Sequence, residues 1–160
     1  MKTIGLILFS AMLTGCATQF SSPKPELPPI KEPDLSYLPA DAAEEMVGIL
    51  AMINLERGDQ VEVAMGEAWI AYATVTDSDL IMEAIVLGEE LEPLRAAGPK
   101  AASAVITRTA KNEVCEDNEM TALLDMLQPY VEDMHLHYRG EDGKMVFEIV
   151  IPTNHCLTVY

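Results

Sequence analysis

MHLHYRGEDGKMVFEIVI, residues 134–151, is the stretch that decides the predicted fold. Apolar and polar residues alternate over 134–139, which is typical of a strand with one buried face. The turn-forming run Gly-Glu-Asp-Gly at 140–143 is followed by a second alternating run. Pairing Arg139 with Lys144 places the apolar residues of both strands on one face, which defines the register of a β-hairpin. The expected opposite pairs are Tyr138–Met145, Leu136–Phe147 and Met134–Ile149.

An earlier part of the chain shows the same period of two. Over 60–65 apolar residues recur at every second position, and over 68–76 Trp69, Ala71, Ala73 and Val75 share one face. Gly66 with Glu67 can form a two-residue turn between the two runs. We therefore predict a second hairpin in this region. A single long strand through Gly66 is the alternative.

Apolar residues at helical spacing indicate the remaining elements. Over 78–97 the spacing favours a helix to about Leu91, although the run from Leu80 could also begin a strand. Three further helices are predicted at about 41–56, 99–115 and 118–128. The expected caps are Asp41 with Glu44 for the first of these helices, and Asp117 or Asn118 for the last.

These elements predict an α+β fold. The sheet is expected to be antiparallel, with about four strands in two hairpins and with helices packed on one face. A chain of 160 residues allows one domain and little more. We place that single globular domain at residues 40–160.

The N-terminus has the pattern of an export signal. Lys2 precedes an apolar stretch at residues 4–13, and the run Leu13-Thr14-Gly15-Cys16 matches the lipobox of bacterial lipoproteins. The resemblance implies that residues 1–15 are a signal peptide and that Cys16 receives acyl chains such as palmitate. Residue 17 is Ala rather than Asp, which by the same resemblance implies anchoring in the outer membrane, facing the periplasm.

Residues 16–39 are predicted to be the lipidated cysteine and a Pro-rich tether. Prolines recur from Pro23 to Pro39, and charged or small residues separate them. Such a composition forms an extended, semi-rigid spacer, which at about 3.1 Å per residue could reach ~70 Å from the bilayer. The tether would suit a protein that meets a partner away from the membrane surface, and a plain spacer fits equally well.

Two cysteines remain in the body of the chain, Cys115 and Cys156. An exported protein reaches an oxidising compartment, so these two residues are predicted to form one disulfide. Two free thiols are the alternative. The sequence contains no Cys-x-x-Cys motif, so it does not support redox catalysis.

The charge of the chain excludes one class of partner. The formal net charge is −16, which repels the phosphate backbone of nucleic acids. No apolar run reaches the ~18 residues that a membrane-spanning helix needs. We therefore expect association with the membrane through the N-terminal acyl chains alone.

The order of elements over about residues 60–156 resembles a family. Together with the lipobox, it resembles the disulfide-bonded α/β class of type II secretion pilotin lipoproteins and similar periplasmic proteins. The chain departs from that pattern at 126–129, where the family has a glycine, and at 88–98, which resembles an insertion. The matching elements are Val114-Cys115-Glu116-Asp117, Leu123-Leu124, Tyr138, Asp142-Gly143, Phe147 and Cys156.

The resemblance implies an interaction protein in the cell envelope. A pilotin would bind the C-terminal helix of a secretin in a hydrophobic groove and carry it to the outer membrane. Trp69 and Tyr72 are predicted to lie on opposite faces of one strand, so one of the two could be exposed and contact such a partner. The alternative function is a periplasmic lipoprotein that binds a metal or a small ligand.

Candidate catalytic and metal-binding residues are sparse. His135 and His137 lie two apart on a predicted strand and share a face, but a structural metal site needs about four ligands. His155 lies in the tail and would not pair with either. We therefore predict solvent-facing histidines, no metal and no cofactor. Serine, cysteine and lysine motifs of nucleophilic catalysis are absent from the sequence, which predicts a protein that is not an enzyme.

Overall fold

The computed structural model describes residues 23–63, 66–87 and 92–158, and within these ranges the chain forms one five-stranded sheet with helices. The predicted α+β class is confirmed. The strands lie in the order β1-β2-β3-β4-β5, so neighbours in the sequence are neighbours in the sheet. The strands are β1 (Gln60–Val63), β2 (Gly66–Thr76), β3 (Asp79–Leu87), β4 (Asp133–Arg139) and β5 (Met145–Pro152). The helices are α1 (Ala40–Asn54), α2 (Glu92–Ala97), α3 (Pro99–Val114) and α4 (Asn118–Leu127).

The hairpin of β4 and β5 is confirmed, with a register two residues away from the predicted one. The observed opposite pairs are Tyr138–Phe147, Leu136–Ile149 and Met134–Ile151. A bulge between Tyr138 and Arg139 absorbs the difference near the turn. Because side chains alternate with a period of two, a shift of two residues leaves every apolar residue on the same face. The rings of Tyr138 and Phe147 stack there, 4.2 Å apart.

The hairpin of β1 and β2 is also confirmed, but its predicted turn is wrong. Gly66 and Glu67 belong to β2, where they pair with Val63 and Glu62. The connection therefore falls at residues 64–65, which lie outside the described residues.

The helix favoured over residues 78–97 is wrong for most of that segment, because β3 occupies Asp79–Leu87. Asp77 and Ser78 both have positive φ, at 53° and 68°. Two central residues with positive φ form the two-residue turn that matches the twist of a hairpin. This turn pairs β2 with β3 and supplies a fifth strand, whereas about four were expected.

The expectation of a purely antiparallel sheet is also wrong, because β3 and β4 pair in parallel. Leu80 lies opposite Met134 and Ala84 lies opposite Tyr138. The chain leaves β3 at one end of the sheet, and α2, α3 and α4 return it to the other end before β4 begins. A crossover of this kind produces a parallel pair, whereas a tight turn produces an antiparallel pair.

The core lies between one face of the sheet and the helices. α4 buries Met120, Leu123, Leu124 and Leu127. Its N-cap is Asp117, as predicted, whose Oδ1 accepts from the backbone N–H groups of Glu119 and Met120. The predicted capping box of α1 is wrong, since Pro39 is the N-cap and makes no side-chain hydrogen bond there. α1 instead buries Met46, Leu50 and Ile53 against the sheet.

Side chains of α1 and α3 bond some of the backbone groups that the sheet leaves unpaired. The backbone N–H of Glu148 in β5 donates to Ser103 Oγ (2.7 Å), and Thr107 Oγ1 donates to its carbonyl (3.2 Å). Beyond the end of β1, Asn54 bonds both the N–H and the carbonyl of Ala73 in β2. Unpaired backbone groups on an edge strand invite pairing with other chains, and these contacts occupy them.

The Pro-rich segment has no helix or strand over residues 23–39, and part of it contacts the domain. The backbone N–H of Asp34 donates to the Val75 carbonyl (2.9 Å), and Thr74 Oγ1 donates to the Lys31 carbonyl (3.0 Å). Leu35 and Leu38 pack against the core. The residues held against the sheet add nothing to the reach of a tether, so the ~70 Å estimated for a free, extended segment is an upper limit.

The predicted disulfide between Cys115 and Cys156 is present, with Cα atoms 5.4 Å apart. It joins the C-terminal end of α3 to a short 3₁₀ helix, His155–Thr158, that follows β5. No helix among the described residues is long and apolar enough to cross a membrane.

We expect the double substitution Cys115→Ser and Cys156→Ser to lower the free energy of unfolding by up to about 4 kcal/mol, because the unfolded chain gains loop freedom. Urea unfolding measures the change. Reducing the wild-type disulfide should give the same loss, and reductant should not affect the double variant. Equal stability of the oxidised wild type and the double variant would contradict this account.

Candidate functional site: a histidine–carboxylate cluster

The face of the sheet opposite the core carries a row of charged side chains on β3, β4 and β5. Glu83 of β3, His137 of β4 and Glu148 of β5 lie side by side in register. His135 lies two residues before His137 on the same face, and Asp79 stands at the start of β3. We call Asp79, Glu83, His135, His137 and Glu148 the histidine–carboxylate cluster.

Glu148 joins the two imidazoles. Its Oε1 lies 2.7 Å from His135 Nδ1 and 3.0 Å from His137 Nε2. Each ring also has a carboxylate beside its other nitrogen. His137 Nδ1 lies 3.0 Å from Glu83 Oε1, and His135 Nε2 lies 3.4 Å from Asp79 Oδ2. Carboxylates and imidazoles therefore alternate across the sheet.

Neighbouring groups hold the carboxylates in place. Arg139 Nε donates to Glu83 Oε2 (2.9 Å), and the backbone N–H of Asp133 donates to Asp79 Oδ1 (3.1 Å). Glu148 is fixed through its backbone, which bonds Ser103 and Thr107 of α3. Arrangements of this kind fix the side chains before any ligand arrives.

The burial of the cluster decreases from the centre of the sheet outward. Glu83 is 6% exposed, whereas the side chains of His135, His137 and Glu148 are 21%, 15% and 35% exposed. The deeper carboxylate therefore serves as a fixed partner, while the two imidazoles and Glu148 remain within reach of solvent.

Mutual interactions shift the pKa values in the cluster. Burial raises the pKa of Glu83, but hydrogen bonds from His137 and Arg139 outweigh it and leave that pKa below its ordinary value. Burial lowers the pKa of His137, but hydrogen bonds to Glu83 and Glu148 outweigh it and leave that pKa raised. The pKa of Glu148 is lowered, since both histidines outweigh the effect of burial.

The net charge of the cluster depends on its protons. Three carboxylates and the Arg139 guanidinium sum to −2 when both histidines are neutral (−3 + 1). Proton uptake by the imidazoles removes that charge. A bound cation would remove it as well.

Trp69 and Tyr72 do not form the exposed contact that the sequence suggested. A bulge between Ile70 and Tyr72 adds one residue to β2, so Trp69 and Tyr72 face the same side of the sheet, opposite Ile85 and Glu83. The prediction of opposite faces is wrong. Both residues are buried, at 9% and 3% exposed, so the expectation that one aromatic ring is free to dock a partner is also wrong.

Among the described residues, His155 is the other histidine singled out in the sequence, and it lies away from the cluster. Cys16 and the signal peptide fall outside the described residues. His155 Nε2 lies 2.9 Å from the Lys111 carbonyl, at the end of α3. As expected, it joins neither His135 nor His137.

The local sequence pattern points to the two histidines but not to their partners. Asp79, Glu83 and Glu148 carried no local signal, because their proximity depends on which strands pair. The two histidines do lie on the face opposite the core, as expected, but they are only partly exposed and both rings bond carboxylates of neighbouring strands. A strand assignment at 79–87 together with parallel pairing would have placed Glu83 beside His137.

Comparison with known proteins supports the fold without assigning a family. No protein-family model matches the chain, and a search of curated proteins finds no match. The fold is similar to the crystal structure, at 1.60 Å resolution, of a Pseudomonas aeruginosa protein provisionally described as secreted. The TM-score is 0.50 at 11% identity, and the match covers 72% of this chain and 93% of the other. The resemblance to pilotin lipoproteins stays a prediction.

In metal-free protein we expect the cluster to contribute most stability between pH 4.5 and pH 6.5, the ordinary pKa values of Glu and His. The raised pKa of His137 adds stability that is complete below pH 6.5 and is lost as the pH rises through the folded value. The lowered pKa of Glu83 adds stability that is complete above pH 4.5 and is lost as the pH falls through the folded value. Urea unfolding from below pH 4.5 to above pH 6.5, with chelator present, measures both losses of stability.

The variant for this test is Glu83→Gln, which removes the charge that His137 and Arg139 share. We expect it to lose about 2 kcal/mol of unfolding free energy at pH 6.5 and to show a shallower decline above that pH. Glu44→Gln, on the exposed face of α1, is the matched control and should behave as wild type. A Glu83→Gln profile parallel to wild type would contradict the role given to this carboxylate.

Proposed function

We propose that the chain is an exported lipoprotein, anchored by acyl chains on Cys16 to the outer membrane and facing the periplasm, that acts by binding rather than by catalysis. The N-terminal sequence supports export and anchoring through its apolar stretch and lipobox. The disulfide supports an oxidising compartment. A fold shared with a protein provisionally described as secreted is consistent with that location.

The histidine–carboxylate cluster is the observation that most strongly supports a binding role. Three strands bring together three carboxylates and two imidazoles, and their summed charge with Arg139 is −2 when the imidazoles are neutral. The side chains of His135, His137 and Glu148 are partly exposed, which leaves a cationic ligand a route to the cluster. A preorganised group of polar atoms with uncompensated charge is typical of a ligand-binding site.

We expect the substitution Cys16→Ser, made behind a signal sequence that is cleaved without acylation in place of residues 1–15, to move the protein from the membrane to the soluble periplasmic fraction. Only the acyl chains are proposed to hold it at the bilayer, because a strongly acidic domain is repelled by anionic lipid head groups. Detergent phase partitioning of cell fractions measures this. Cys115→Ser with Cys156→Ser retains Cys16 and should stay with the membrane. A Cys16→Ser protein that still partitions with the membrane would contradict lipid anchoring.

A second candidate is a pilotin-like assembly factor that escorts a secretin-like envelope protein. The observation that favours it is the disulfide, which links the two cysteines that the resemblance to pilotins includes. Buried Trp69 and Tyr72 mean that such a partner would have to use another surface of the domain.

Crosslinking in cells distinguishes the two candidates. We expect a pilotin-like protein, tagged and purified from outer membranes, to carry a secretin or another envelope protein that mass spectrometry detects. The control is a protein with the same lipobox and Pro-rich segment but without residues 40–160. No enrichment over this control would contradict the assembly role and leave ligand binding as the proposed function.

A further inference from the structure

We propose that the histidine–carboxylate cluster binds one divalent transition-metal ion, zinc by its chemistry, through His135 Nδ1, His137 Nε2 and a carboxylate oxygen of Glu148. The inference deepens the proposed binding function, on which it rests, by naming the ligand class. These three side chains each offer one donor atom, and the three atoms lie within 4.8 Å of one another.

The spacing of the donor atoms is close to that of a metal site. Zinc binds histidine nitrogens and carboxylate oxygens at about 2.0–2.2 Å, so neighbouring donors of a tetrahedral site lie ~3.3 Å apart. Glu148 Oε1 now lies 2.7 Å from one imidazole nitrogen and 3.0 Å from the other. These two distances are within about 0.6 Å of that spacing, and the donor atoms of the two imidazoles lie within 4.8 Å of each other.

The outer groups match those around known metal sites. A histidine that binds a metal commonly donates its other ring N–H to a carboxylate, which fixes the tautomer and the ring orientation. His137 has Glu83 at its other nitrogen, 3.0 Å away, and Arg139 in turn holds Glu83. The other nitrogen of His135 faces Asp79 at 3.4 Å. His137 thus has the hydrogen-bonded outer carboxylate that metal-binding histidines commonly have, whereas Asp79 lies near His135 Nε2 without a hydrogen bond to it.

The donor set selects the class of ion. Two imidazoles and one carboxylate suit zinc and its neighbours among the transition metals, whereas calcium prefers six to eight oxygens. A divalent ion also balances the −2 charge that the cluster carries with neutral histidines. Three protein donors leave a fourth position open for water.

A second donor group lies next to the first. Asp79, Asp133 and His135 also place one donor atom each within 4.8 Å of the others. This group has a single imidazole, so it is the weaker zinc site. Because His135 takes part in both groups, the contribution of His137 distinguishes them.

The test is calorimetric titration of the mature, disulfide-bonded full chain in detergent with zinc chloride, after chelator treatment and removal. We expect one zinc ion per chain at micromolar or tighter affinity. The variants His137→Gln and Glu148→Gln should each weaken binding at least ~10-fold, and Glu83→Gln should weaken it about 10- to 100-fold. Calcium chloride under the same conditions should give no binding heat.

His155→Gln is the matched control, since it removes a histidine that lies away from the cluster. We expect its zinc affinity to equal that of wild type. Cobalt(II) bound to the wild-type chain should show the intense visible absorption of a four-coordinate site, and this measurement depends on no variant. Absence of binding heat at micromolar zinc, or zinc affinity that His137→Gln leaves unchanged, would overturn the proposal.

Failure of this test is distinguishable from failure of the proposed location. Membrane anchoring is measured on Cys16→Ser and does not involve the cluster. A lipid-anchored chain that binds no zinc would remove the metal site and retain the lipoprotein.

Discussion

Parallel pairing between β3 and β4 is the constraint on which the rest of the structure depends. A hairpin at Asp77 and Ser78 sends β3 along β2, and the helical crossover then returns the chain so that β4 runs in the same direction as β3. This register puts Glu83 beside His137. If β4 ran antiparallel to β3, the residues of β4 would lie beside different residues of β3. The histidine–carboxylate cluster is therefore a consequence of the crossover.

The helix α3 links the cluster to the disulfide. Ser103, in its second turn, and Thr107, at its middle, bond the backbone of Glu148. At its C-terminal end Cys115 is bonded to Cys156. Both anchors lie on or just after β5, so the helix is fastened to that strand at two points. The contacts that occupy the free edge of the sheet also restrict the position of Glu148, which joins the two imidazoles.

Local patterns predicted what depends on local sequence. Alternation located the hairpin of β4 and β5, helical spacing located α3 and α4, and an acidic N-cap located the start of α4. The errors arose where the outcome depends on distant residues or on backbone details. The turn at Asp77 and Ser78 resembles a helix cap in sequence. One bulge changes the register between β4 and β5, and another places Trp69 and Tyr72 on the same face of β2. Neither bulge has a signal in the local sequence. The partners of the histidines depend on strand pairing, which periodicity cannot specify.

Glu83 is the residue of the cluster whose burial is least favourable for the stability of the fold. It lies on the strand at the centre of the sheet, flanked along β3 by Ile81 and Ile85 and opposite Tyr72. An apolar side chain there would avoid the desolvation that a buried carboxylate requires, and replacing buried ion pairs by apolar residues is often neutral or stabilising. Hydrogen bonds from His137 and Arg139 offset the penalty only while all three side chains are present. Local violations of the apolar pattern that a specific polar network compensates are found in proteins chiefly at functional or strained sites.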